Sequence, residues 1–97
     1  MATRVWMTAV YVKWIDSLVD RNVRARTHVK VDRLVHGQPG PYRRLEAGVS
    51  ELKIDVGPGY RVYYTQRNHD LVVLLAGGDK STQQKDIHRA IALARNI

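Results

Sequence analysis

The run Ser50-Glu51-Leu52-Lys53-Ile54-Asp55-Val56-Gly57-Pro58-Gly59-Tyr60-Arg61-Val62-Tyr63-Tyr64-Thr65 decides how this chain folds. From Ser50 to Val56 apolar and charged side chains alternate, the two-residue period of a strand with one buried and one wet face. Gly57-Pro58-Gly59 predicts a tight reversal, since proline fixes its own φ and glycine is free to take positive φ. Tyr60 to Thr65 returns as the next strand. With Gly57 to Gly59 as the loop, Val56 sits opposite Tyr60. Counting back pairs Asp55 with Arg61, Ile54 with Val62, Lys53 with Tyr63 and Leu52 with Tyr64. Paired residues share a face, so Leu52, Ile54, Val62 and Tyr64 are expected in the core. Lys53, Asp55, Arg61 and Tyr63 are expected together on the face turned away from it.

Downstream, Asn68-His69-Asp70 reads as a second turn, and Leu71 to Ala76 is apolar on both faces, as a central strand would be. Gly77-Gly78 is expected to end that strand. Ser81 with Gln84 three residues on resembles a capping box, opening a last helix whose Ile87, Ala90, Ile91 and Ala94 share a face. Upstream the period changes. Tyr11, Trp14, Ile15 and Leu18 recur at helical spacing, and a second helix is expected from about Val23 to His36, with Val23, Thr27, Val31, Leu34 and Val35 inward. Gly37 supplies a left-handed stop before the Gln38-Pro39-Gly40-Pro41 turn. A few residues around Asp20 join these helices, predicting an antiparallel helical hairpin. Short strands near Val5 and from Tyr42 to Leu45 complete the pattern. The class is α+β: two N-terminal helices and a C-terminal helix packed on one face of a small twisted antiparallel sheet.

The chain has 97 residues, enough for one core and too few for two, so residues 1–97 are read as a single domain. Sixteen Lys and Arg against nine Asp and Glu leave a formal charge of +7, which favours a polyanionic partner. Cysteine is absent, so disulfides and thiolate metal sites are excluded. The apolar stretch from Val5 to Ile15 is interrupted by Lys13 and followed by Asp16, too short and too charged for a membrane span or a secretory core. A cytoplasmic protein with no membrane partner is expected.

The polar residues of the hairpin carry the first chemical reading. An RNA phosphodiester can be cut by its own 2'-hydroxyl, and cations gathered around the phosphate accelerate the step. Arg61 would grip the phosphate bidentately, Lys53 would add charge or relay a proton, and Tyr63 would stack a base. The same residues also read as an exposed Asp55–Arg61 ion pair beside a solubilising lysine. Gly77-Gly78-Asp79-Lys80-Ser81 lies before a helix start, where backbone N–H groups favour an anion; it also reads as an ordinary strand-to-helix turn. It lacks the glycine spacing of a nucleotide-binding Walker loop. The second helix carries Arg21, Arg24, Arg26, Lys30 and Arg33, continued by Arg43 and Arg44, either an RNA-docking surface or a solvated face. Lys85 joins that set at the last helix. The four histidines, His28, His36, His69 and His88, have no metal-ligand spacing, and no cofactor or metal is implied.

Gly48 to Tyr64, followed by Leu74 to Ile87, closely resembles the HigB-like putative addiction module killer proteins of the RelE/ParE toxin superfamily. Trp14 to Leu18 and the segment from Arg24 to Gly40 fall in the same family order, so nearly the whole chain is covered. The resemblance implies the RelE-like fold and the toxin of a type II toxin-antitoxin pair, held inactive by a cognate antitoxin. It implies an mRNA interferase, an endoribonuclease that cuts mRNA on the ribosome by 2'-hydroxyl attack without a metal. By motif position Arg61 resembles the family's phosphate-gripping arginine, with Lys53 on the preceding strand and Lys80 after the last strand. Arg24, Arg26, Lys30, Arg33, Arg43, Arg44, Tyr63 and Lys85 are the expected RNA contacts. The chain departs from the best-known RNases in carrying Leu52 and Asp55 where a second lysine stands, and in lacking the C-terminal tyrosine or histidine base, for which His88 is the candidate substitute. Two other activities share this scaffold or its charge: a ParE-like DNA gyrase poison and a non-catalytic RNA-binding module.

Overall fold

A computed structural model describes residues 3–97. In chain order the elements are β1 (Arg4–Met7), α1 (Ala9–Ser17), α2 (Arg21–Val35), β2 (Tyr42–Arg44), β3 (Val49–Ile54), β4 (Tyr60–Arg67), β5 (Leu71–Asp79) and α3 (Gln83–Arg95). Short 3-10 turns at Glu46–Gly48 and Lys80–Thr82 lead into β3 and α3. The five strands form one sheet in the order β1-β5-β4-β3-β2. β2 through β5 are antiparallel neighbours, and β1 pairs parallel with β5, Arg4 with Leu71 through Met7 with Leu74. The sheet is therefore mixed. The α+β class read from the sequence holds, with this one strand reversed in direction.

The helices divide between the two faces instead of sharing one. On the first face Tyr11 and Ile15 of α1 and Leu34 of α2 meet Leu52, Ile54, Val62, Tyr64, Val72 and Leu74. On the second, Ile87, Ala90, Ile91 and Ala94 of α3 cover Val49, Tyr63, Val73, Leu75 and Ala76. Two apolar faces on β4 and β5 demand two covers, because a sheet face of this composition left in water would forgo about 25 cal/mol for every Å² not buried. α1 lies chiefly along β5 and α2 over β3, so each helix rests on the sheet.

Local chemistry accounts for the helix ends. The Thr8 hydroxyl accepts from the Tyr11 N–H at 3.1 Å and donates to the Leu75 carbonyl at 2.6 Å, capping α1 and tying it to β5. Asp20 caps α2 by accepting from the Asn22 N–H at 2.8 Å. Gly37, at φ +81°, closes α2: its N–H bonds the Leu34 carbonyl while that of Gln38 reaches Arg33. The cap before α3 differs from the expected Ser81–Gln84 box. Asp79 accepts from the Ser81 N–H at 2.8 Å, and the Ser81 hydroxyl donates to the same carboxylate.

The β3–β4 hairpin is two residues out of the expected register. Ile54 faces Tyr60, Lys53 faces Arg61, Leu52 faces Val62 and Glu51 faces Tyr63. The loop runs from Asp55 to Gly59, with Gly57 at φ +57° and Gly59 at φ +88°. Val56 leaves the ladder and packs against the first core, so the turn widens. A two-residue shift preserves faces, and for that reason Leu52, Ile54, Val62 and Tyr64 still reach the core. Further along, a bulge falls between Tyr63, opposite Ala76, and Tyr64, opposite Leu74. It leaves Leu75 as the extra residue and lets Leu75 and Ala76 both face α3.

Gly77 and Gly78 lie inside β5 and do not end it. A Cβ on Gly77 would collide with the Trp14 ring, and one on Gly78 with the Asp86 carboxylate. These glycines let α1 and α3 pack closely on opposite faces of β5.

Candidate functional site

The observed register sets Lys53 beside Arg61 and Arg61 beside Gly78 across three strands, at the end of the sheet where β5 passes into Lys80. Lys53, Arg61 and Lys80 line a shallow concavity of about 370 Å³ whose floor is the Val56 to Gly59 loop. The three residues expected at the scissile phosphate thus share one site. Lys53 and Lys80 are exposed, whereas the Arg61 side chain is only 12% exposed. Asp55 also lines the concavity and stands 4.0 Å from the Lys53 ammonium, an exposed pair worth little in water.

Arg61 is held from two sides. Its Nη1 donates to the Gly59 carbonyl at 2.9 Å, and its Nε lies 3.7 Å from Glu51 Oε2. Glu51 is buried under it, the residue being 7% exposed. The other carboxylate oxygen pairs with Arg43 Nη2 at 3.2 Å, and Gln83 Nε2 donates to Oε2 at 3.0 Å. Glu51 and Gln83 were not among the residues singled out from the sequence. Glu51 stands on the same strand face as Lys53, two residues earlier, so the alternation carried the signal. Gln83 is placed only by the docking of α3.

Tyr63 is the clear correction. It is fully buried beneath α3, so it cannot stack an RNA base. The expectation failed because α3 covers the face that was taken to be open. Its hydroxyl is buried beside Glu51, and burial, followed by the negative charge of Glu51, pushes its pKa well above the ordinary phenol value. Beside the concavity, the hydroxyl and backbone N–H of Ser81 hold the Asp79 carboxyl below its ordinary range.

The remaining expected contacts are scattered. Arg24 is half-buried, with Nη2 donating to the Leu18 carbonyl at the end of α1, a structural bond. Arg26 and Arg33 are exposed and Lys30 half-exposed on α2, which covers the sheet face opposite to Arg61. Arg26 and Val56 do line a common hollow, so the start of α2 reaches the far side of the same loop. Arg43 is joined to the site through Glu51, while Arg44 pairs with Ser50 and borders a separate hollow with Tyr42 and Tyr64. Lys85 and His88 are exposed on α3. Among the described residues, no group of three His, Asp or Glu side chains gathers as a metal would require. Among the same residues, no helix is long and apolar enough to cross a membrane.

Within the concavity, Lys53, Lys80 and Asp55 are the side chains able to take or release a proton, and Arg61 supplies a fixed planar cation. Such a set can neutralise a phosphate and exchange protons with oxygens bound to it. Comparison with solved structures gives an arginine-to-alanine double mutant of the Escherichia coli toxin RelE in the free state. That structure matches with a TM-score of 0.72 at 18% identity, over 95% of this chain and 97% of that one. The fold is thus RelE-like, as the resemblance in sequence implied. An uncharacterised protein of Haemophilus influenzae (strain Rd) is 39% identical over 97 residues, spanning 100% of this chain and 98% of its own length. Residues 13–97 match the family described as phage-derived protein Gp49-like (DUF891), and the chain belongs to that family.

Proposed function

We propose that the protein is the toxin of a type II toxin-antitoxin pair and acts as a ribosome-dependent mRNA endonuclease. The observation that carries the reading is the convergence of Lys53, Arg61 and Lys80 on one concavity at the sheet end. In the proposed step the 2'-hydroxyl gives up its proton, for which the Asp55 carboxylate lining the concavity is the acceptor, its oxygen attacks the adjacent phosphorus and the bond to the 5'-oxygen breaks, leaving a 2',3'-cyclic phosphate and a 5'-hydroxyl. Arg61 holds the non-bridging oxygens, whose charge grows as the fifth bond forms. Lys53 and Lys80 flank it, placed to stabilise the attacking and leaving oxygens and to return a proton to the leaving group. The formal charge of +7 favours approach to RNA and to a small acidic antitoxin over the same surface.

Arg61→Ala tests this directly. Glu51 keeps Arg43 and Gln83 as partners, so the fold is expected to survive. Loss of one phosphate-stabilising donor should lower cleavage by roughly 10²- to 10³-fold. Primer extension after induction should find new 5' ends in translated messages with the wild type and none with the variant. A folded Arg61→Ala protein that still arrests growth, or gyrase-linked DNA breaks without mRNA cuts, overturns the reading.

A further inference from the structure

We propose that Glu51 is a positioning residue, a buried carboxylate that orients the Arg61 guanidinium toward the concavity without itself touching RNA. The proposal rests on the reading of Arg61 as the phosphate-gripping group. Glu51 lies one strand pair behind the concavity, opposite Tyr63, and its side chain is 8% exposed. A buried carboxylate is tolerated only where it is paired and hydrogen-bonded, and here three elements supply partners. They are Arg43 from β2 at 3.2 Å, Gln83 from α3 at 3.0 Å, and Arg61 from β4 at 3.7 Å.

The consequence for Arg61 is geometric. Its Nε edge is turned inward to Glu51 and is buried, and one N–H of Nη1 is bound to the Gly59 carbonyl. The second N–H of Nη1 and the two of Nη2 are left for a ligand. Without the negative charge behind it, the guanidinium has no reason to keep its Nε edge under the sheet, and the flexible stem would let it swing into water. Glu51 thus faces two buried donors, Arg61 Nε at 3.7 Å and the Tyr63 hydroxyl. Charge and shape therefore both bear on this one carboxylate. Gln83 belongs to the same device, because it fixes Oε2 from the first turn of α3.

Glu51→Gln keeps the shape and removes the charge. Two measurements on the full chain decide the case. The first is the NMR signal of the Arg61 Nε–Hε group, compared between wild type and variant. A dispersed, ordered signal is expected in the wild type and a mobile, random-coil-like one in Glu51→Gln. The second is cleavage of mRNA on ribosomes, where kcat should fall roughly 10- to 100-fold, the scale of a misplaced catalytic group, with KM nearly unchanged. If Glu51→Gln fails to fold, Gln83→Ala, which removes one donor and leaves the charge, should shift both readouts the same way by a smaller factor. An Arg61 signal equally ordered in a folded variant overturns the positioning role. Absence of cleavage by the wild type overturns the nuclease reading instead, and the Arg61 signal still decides the role of Glu51.

Discussion

Gly77→Ala tests how α1 sits on the sheet. A Cβ at this position meets Cε3, Cζ3 and Cδ2 of Trp14, so the indole must move as a whole. Trp14 also packs at a tilt on Tyr11, with ring centroids 5.8 Å apart and planes at 54°. Overfilling a packed contact costs about 1–3 kcal/mol. Separating the aromatic pair adds about 0.5–1.5 kcal/mol. Alanine recovers roughly 0.5–1 kcal/mol of the entropy that glycine loses in a strand. The balance is a loss of about 2 kcal/mol, or roughly 8–16 °C in Tm for a domain of this size. Thermal melts followed by far-UV circular dichroism, with urea titrations alongside, measure it. The same substitution in a Trp14→Ala background should be neutral or stabilising, because the collision partner is gone. A Gly77→Ala protein melting within about 2 °C of wild type, or an equal loss with and without Trp14, would refute the packing argument.

Two further outcomes follow from particular side chains. Burial raises the Tyr11 pKa from 10.0 to about 12. The unfolded chain releases this proton above pH 10 while the native state holds it, so stability falls as pH climbs from 10 toward 12. Tyr63 has the same sign. One phenol shifted this far accounts for roughly 2–3 kcal/mol across that window. Urea titrations at stepped pH should show Tyr11→Phe losing less stability than wild type there, and parallel curves would sink the idea. Arg24 donates to the Leu18 carbonyl, so Arg24→Ala should cost about 1.5–3 kcal/mol, as for a charged hydrogen bond. Arg26→Ala and Arg33→Ala, both exposed, should stay within about 0.5 kcal/mol of wild type. Equal stability of Arg24→Ala and Arg26→Ala would show that Arg24 is a surface residue after all.

The sequence revealed most where the physics is local. Alternation in β3, helical spacing in α1 and the Gly37 stop are set within a few residues, and the structure repeats them. The hairpin register was off by two because the loop width depends on where Val56 packs, which is a tertiary contact. Faces survive that shift, so Lys53 and Arg61 could still be assigned to one face. Tyr63 could not be placed correctly, since alternation shows that two faces differ without showing which of them a later helix covers. Gln83 escaped for the same reason. Glu51 was legible in part: its face could be read, whereas its convergence with Arg43 required the β2–β3 pairing. The parallel pairing of β1 leaves no local mark at all.

That pairing has a bearing on synthesis. The Thr8 hydroxyl, which caps α1, finds its acceptor at Leu75, 67 positions later in the chain. At a translation rate of about 5–20 residues per second, the first strand and the first cap wait roughly 3 to 13 seconds for β5 to be made. Lys80 is made later still. A nascent chain therefore carries Lys53 and Arg61 for some time without their third cation or the α3 residue Gln83 that braces Glu51. The concavity is completed only once the chain has been made through Lys80, and the brace on Glu51 comes three residues later, so the cationic cluster forms as one of the last parts of the fold.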